Sequence, residues 1–109
     1  MTSHTYTFFP DLAAEETVPE RGIHSQTVSR GGGVELVVFG LAAGEELSEH
    51  ASARPAIIHV LSGEGQLSVA GDTHPAAPGA WLRMEAGSRH AVVARTDLVF
   101  ALYLLPGEA

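Results

Sequence analysis

Gly44-Glu45-Glu46-Leu47-Ser48-Glu49-His50-Ala51-Ser52-Ala53-Arg54-Pro55-Ala56-Ile57-Ile58-His59-Val60-Leu61-Ser62-Gly63 is the stretch that decides the fold. A glycine opens it, Ala53-Arg54-Pro55 breaks it in the middle and a glycine closes it, so it reads as strand, turn, strand and not as one helix. In the first strand, Leu47 to Ser52, period-two alternation puts Leu47, Glu49 and Ala51 on one face and Ser48, His50 and Ser52 on the other. The second strand, Ala56 to Ser62, is aliphatic on both faces and therefore expected to be buried on both.

The same punctuation extends outward in both directions. Upstream, Ile23 to Ser29 and Val34 to Leu41 read as strands joined through Gly31-Gly32-Gly33. Thr5 to Phe9 alternates like an edge strand, and residues 10–16 make one helical turn before Pro19. Downstream, Gln66 to Ala70 is followed by a two-residue hairpin at Gly71-Asp72 and a Pro-punctuated connection from His74 to Gly79. Trp81 to Met84, His90 to Arg95 and Leu98 to Leu105 complete the set. The expectation is an all-β chain of about nine strands with little helix, folded as a sandwich or barrel and divided into an N-terminal arm, 1–22, and the body of the domain, 23–109; the resemblance described next makes that body a barrel. With 109 residues the chain has room for one domain and its own core.

Two glycine-bounded motifs carry a resemblance to the cupin superfamily. Gly44 to Gly63 matches the spacing of the first cupin motif, with His50 at its first His position, Ser52 at the second and Ala56 where the family has Glu. Gly79 to His90 matches the second motif, with Gly87 and His90 in place, Glu85 at the Pro position and Ala94 at the final Asn. Fifteen residues separate the motifs, which is the family's order and gap. The resemblance implies a small single-domain cupin with a jelly-roll β-barrel and a pocket at its mouth. It also implies a metal site whose ligands are here reduced to His50 and His90.

A catalytic site for a first-row metal normally has three protein ligands and an open position, so two His imply at most a weakly held divalent ion, Zn, Ni, Fe or Mn, completed by water or ligand. His59 is the possible third ligand, although parity with Ala56 turns it outward unless a bulge intervenes. Ser52 inherits an inward-facing motif position, Arg54 and Arg89 flank the motif histidines as possible carboxylate clamps, and Trp81 is a stacking candidate; these four are the expected pocket residues. Glu85 is the one candidate general base, while His74 is expected in solvent and His4 and His24 lie outside both motifs. Phe39, Ile58, Val60, Leu82, Val92, Phe100 and Leu102 are expected to make the interior apolar, which suits a small, partly apolar organic ligand. No residue set specifies catalysis. A metal-dependent dioxygenase or isomerase and a non-catalytic sensory or structural module both remain open beside small-molecule binding.

Composition narrows the partners. Six Arg against thirteen Asp and Glu leave a net charge of −7, which opposes nucleic acid and anionic membranes. There is no Cys, nothing at the start reads as a signal peptide, and the longest apolar run, Leu98 to Leu105, is far short of the about 20 residues of a membrane span. A cytoplasmic protein is expected. Apolar residues on both strand faces, with an outward row at Ile57, His59 and Leu61, lead to the expectation of a homodimer.

Overall fold

In a computed structural model that describes residues 5–107, nine strands form two antiparallel sheets. In chain order they are β1 (Ile23–Gly31), β2 (Val34–Leu41), β3 (Glu46–Ala51), β4 (Ala56–Ser62), β5 (Gly65–Val69), β6 (Asp72–Ala76), β7 (Trp81–Met84), β8 (Arg89–Ala94) and β9 (Leu98–Leu104). The larger sheet runs β1-β2-β9-β4-β7 and the smaller β3-β8-β5-β6. The crossovers between them are those of a jelly roll. The sheets face each other and leave β6 and β7 as neighbouring free edges.

Alternation decides what lies between the sheets. From the larger sheet Phe39, Phe100, Ile58 and Leu102 point inward, and from the smaller Leu67 and Val92 meet them. Phe39 and Phe100 face each other across the β2–β9 ladder with ring centroids 4.8 Å apart and planes within 5° of parallel. Such a pair adds about 0.5–1.5 kcal/mol to the area it buries.

Val38 and Ala101 have the opposite parity and should face solvent, yet both are 0% exposed. The N-terminal arm covers them. Its short 3-10 turn, Leu12–Glu15, packs on β2, β4 and β9. The chain then passes so close over Gly40 that a Cβ there would meet the Cα of Val18 at 3.2 Å. Part of the outward apolar surface of the larger sheet is thus covered by the chain's own arm.

Several local expectations are corrected. Residues 5–9 form no strand: with Tyr6 80% and Phe8 73% exposed, the segment has no neighbour on which to bury a face. The hairpin after β5 turns on Ala70-Gly71, one residue earlier than expected, with both residues at positive φ, 50° and 87°. Of the connection expected from His74 to Gly79, the first part, His74 to Ala76, belongs instead to β6, which accommodates Pro75 because it is an edge strand. All four motif glycines, Gly44, Gly63, Gly79 and Gly87, hold positive φ. At Gly63 a side chain would in addition strike the carbonyl of Asp97. The motif punctuation is therefore a backbone requirement, independent of any ligand.

Candidate functional site

His50 on β3 and His90 on β8 stand directly opposite each other in the ladder of the smaller sheet. Their ring centroids are 4.2 Å apart and the planes cross at 56°. The strand parity that paired His50 with Ser48 and opposed it to Leu47 is broken by a bulge: Leu47 opposes Val92 and His50 opposes His90, three residues on β3 against two on β8. Leu47 and His50 therefore share the inner face, and Ser48 and Glu49 occupy the bulge.

The bulge also fixes the ring. His50 Nδ1 lies 2.8 Å from the carbonyl of Ser48, and His90 Nδ1 lies 3.0 Å from the carbonyl of Ser88. A carbonyl only accepts, so each Nδ1 carries the proton and donates it, leaving Nε2 as the lone-pair nitrogen of both rings. The two histidines thus share one arrangement, Ser-x-His with the ring bound back to the carbonyl two residues before it. The sequence carries the signal for it twice, as Ser48-Glu49-His50 and Ser88-Arg89-His90.

Both rings line a cavity of about 50 Å³ whose walls are Phe39, Phe100, Ile58 and Leu102, with Leu47 and Val92 beside the histidines. Five of the seven residues expected to make the interior apolar are among these; Val60 lies in the core beyond the cavity and Leu82 lines the cleft at the β6 and β7 edges. His90 is buried and His50 exposed, so the pair marks the mouth. Burial holds the His90 imidazole below its ordinary pKa and the neighbouring His50 pushes in the same direction, while the hydrogen bond to Ser88 opposes both. With ~30 Å³ as the share of one liquid water, the cavity accepts a group or two of that size, well short of the ~300–1,000 Å³ of an enclosed small-molecule pocket.

The other expected pocket residues are elsewhere. Ser52 Oγ accepts from the Arg54 backbone N–H at 3.1 Å and stabilises the turn between β3 and β4. Arg54 is a clamp on the protein itself, donating to the carbonyls of Gly33, Leu104 and Leu105 and to Glu35. Arg89 is paired with Glu49 at 3.0 Å on the surface, so neither guanidinium is placed to hold a substrate carboxylate in the cavity. Trp81 is 60% exposed on β7, and Glu85 is exposed and paired with Arg83. His59 alternates with Ile58 and Val60 and faces away from the cavity, because β4 carries no bulge before it. His74 is exposed on β6 and His24 on β1, while His4 lies outside the described residues.

This donor set does not make a catalytic metal centre. Among the described residues no group of three His, Cys, Asp or Glu side chains is placed to hold an ion. The two Nε2 atoms supply imidazole donors, but among the described residues no carboxylate joins them.

Residues 37–105 match the family model of the Cupin domain. The chain belongs to the cupin family. Solved structures agree with this assignment. A conserved protein of unknown function from Streptococcus pyogenes superposes with a TM-score of 0.81 at 27% identity, over 99% of this chain and 93% of that one. A cupin superfamily protein from Desulfitobacterium hafniense gives 0.81 at 19% identity, over 95% and 94%. An RmlC-like cupin from Desulfovibrio desulfuricans gives 0.75 at 25% identity, over 99% of both. No curated protein matches the sequence. Among the described residues no helix is long and apolar enough to cross a membrane.

Proposed function

We propose that this cupin is a binding protein that takes a small, donor-bearing organic molecule at the barrel mouth, held between His50 and His90. The observation that carries the reading is the commitment of both Nδ1–H groups to backbone carbonyls, which leaves two hydrogen-bond acceptors, one on each ring, at the edge of an apolar cavity. Two lone pairs side by side suit a group with two N–H or O–H hydrogens, such as an ammonium, a primary amide or a diol, with a short apolar portion entering the cavity. The net charge of −7 favours a cationic or neutral ligand over a carboxylate. A divalent ion would meet the same two nitrogens and, lacking further protein ligands, would be held weakly and lost on dialysis. The setting that accompanies this reading is the cytoplasm, with no nucleic-acid or membrane partner.

The test is nitrogen-detected NMR of the histidine rings during titration with Zn²⁺ and with a panel of small amines, amides and diols. The Nε2 resonances of His50 and His90 are expected to move together, and His50→Ala or His90→Ala to abolish the response while His74→Ala leaves it intact. Rings protonated on Nε2 in the free protein, or binding that survives His90→Ala, would overturn the assignment.

A further inference from the structure

In both Ser-x-His segments the residue between the orienting carbonyl and the ring is charged: Glu49 in Ser48-Glu49-His50 and Arg89 in Ser88-Arg89-His90. Those two side chains meet. Arg89 Nε donates to Glu49 Oε1 at 3.0 Å across the β3–β8 ladder. A peptide unit is planar, so the Ser48 carbonyl turns as one body with the Glu49 N–H, and the Ser88 carbonyl with the Arg89 N–H. Whatever fixes Glu49 therefore fixes the acceptor of the His50 ring.

The two units are not held equally by the fold. Arg89 lies on β8, an inner strand between β3 and β5, and its own carbonyl accepts from the Ala70 N–H at 2.9 Å. By contrast β3 is an edge strand whose one partner is β8, and of its residues only Leu47 is even half-buried. Its ladder resumes at His50 and Ala51, and beyond them the Ser52 carbonyl accepts from the Gly87 N–H at 2.8 Å. Between Leu47 and His50 the bulge leaves Ser48 and Glu49 without register partners on β8. Among the described residues the bond to Arg89 is the one side-chain hydrogen bond that ties the bulge to another strand.

We propose that Glu49 and Arg89 are positioning residues for the histidine pair. Their ion pair pins the bulge to β8, holds the Ser48 carbonyl on the His50 ring and keeps the Nε2 lone pair of His50 presented beside that of His90. The inference rests on the reading of the two Nε2 atoms as the groups that hold the ligand. Both charged side chains are more than half exposed, and such a pair contributes little to global stability. Its effect is local, because an edge strand with few buried contacts opens at far lower cost than the domain unfolds. A small bias therefore decides how His50 is presented. Salt screens that bias, so the orientation of His50 depends on ionic strength even with no ligand bound.

The experiment is nitrogen-detected NMR of the histidine rings in the free full chain at pH 8, which reads the ratio of the Nδ1–H to the Nε2–H tautomer. In the unmodified protein His50 is expected as the Nδ1–H tautomer, with the ratio falling as salt is raised. Glu49→Gln and Arg89→Gln change only exposed side chains and are expected to melt with the unmodified protein. Each should lower the His50 ratio about two- to fivefold and abolish its salt dependence, with His90 changing less because β8 is held on both sides. The exchanged pair, Glu49→Arg with Arg89→Glu, is expected to restore the ratio. A ratio unchanged in both single variants overturns the inference, as does a loss that the exchanged pair fails to recover. A ratio that follows the pair in a protein whose rings answer no ligand supports the positioning role and refutes the binding reading. A ligand response with a ratio indifferent to the pair overturns the positioning role alone.

Discussion

His90 shows how much one buried imidazole contributes to the behaviour of the whole chain. Its pKa is lowered from the ordinary 6.5, chiefly by burial, so the folded protein prefers it neutral while the unfolded chain binds a proton more readily. The sign follows: above pH 6.5 both states are neutral at this residue and it adds nothing to the pH dependence. As pH falls through 6.5 toward the lowered folded value, the unfolded state gains a proton first and stability drops. A denaturation series from pH 8 to 5 is expected to show that decline, and His90→Gln to flatten it. A decline of unchanged slope in the variant would assign it to another group. At Ala70 the residue scale offers a gain instead. A non-glycine residue at φ 50° in a hairpin turn costs roughly 1–2 kcal/mol in principle, and Ala70→Gly or Ala70→Asn is expected to recover about 0.5–1 kcal/mol, measured by chemical denaturation.

At the scale of elements, Arg54 fastens the start of β2 to the end of β9. Its guanidinium reaches the carbonyls of Gly33, Leu104 and Leu105 and the Glu35 carboxylate, and it is only partly exposed. Arg54→Ala leaves those carbonyls without a donor and is expected to cost ~1–3 kcal/mol of stability with ligand affinity unchanged. Arg54→Lys is expected to recover only part, since a single ammonium cannot span the same fork. Here sequence and structure part company for a definite reason. Eight of the nine strands and the histidine pair were legible, because glycine and proline mark most turns and motif spacing sets register, whereas β6 was not, because Pro75 reads as a break that an edge strand tolerates. The tasks of Ser52, Arg54 and Arg89 were not legible. Each sits beside a motif histidine in the chain, but Arg54 and Arg89 bond neighbours brought in by the fold from 19 to 51 residues away, such as Glu35 and Leu105 for Arg54, and Ser52 is taken up by the turn through the Arg54 N–H. The bulge at Ser48-Glu49 was equally hidden, since an extra residue in a strand has no marker when neither residue is glycine, and it reverses the parity on which the face assignment depended.

Across the whole molecule the apolar surface is managed in layers. The sandwich interior takes one face of each sheet, and the N-terminal arm takes the outer face of the larger sheet at Val38 and Ala101, where alternation alone would leave aliphatic residues in water. That makes the arm a structural part of the barrel, although it lies outside the segment that matches the family model. The consequence is testable by truncation. Removing residues 1–21 uncovers Val38, Val99 and Ala101 and deletes the Leu12–Glu15 turn while leaving every strand, both motifs and the histidine pair in place. At about 25 cal/mol per Å² of apolar surface, returning even 100–200 Å² to solvent costs roughly 2.5–5 kcal/mol, a large share of the ~5–15 kcal/mol that a domain has. The truncated chain is expected to melt well below the full-length protein and to aggregate on concentration. Restoring only the cover, residues 10–21, should recover most of the melting temperature, because the packing on β2, β4 and β9 comes from that part of the arm. A truncation at residue 21 that melts with the full-length protein would show that the outer face tolerates water, and the arm would then have no part in holding the barrel together.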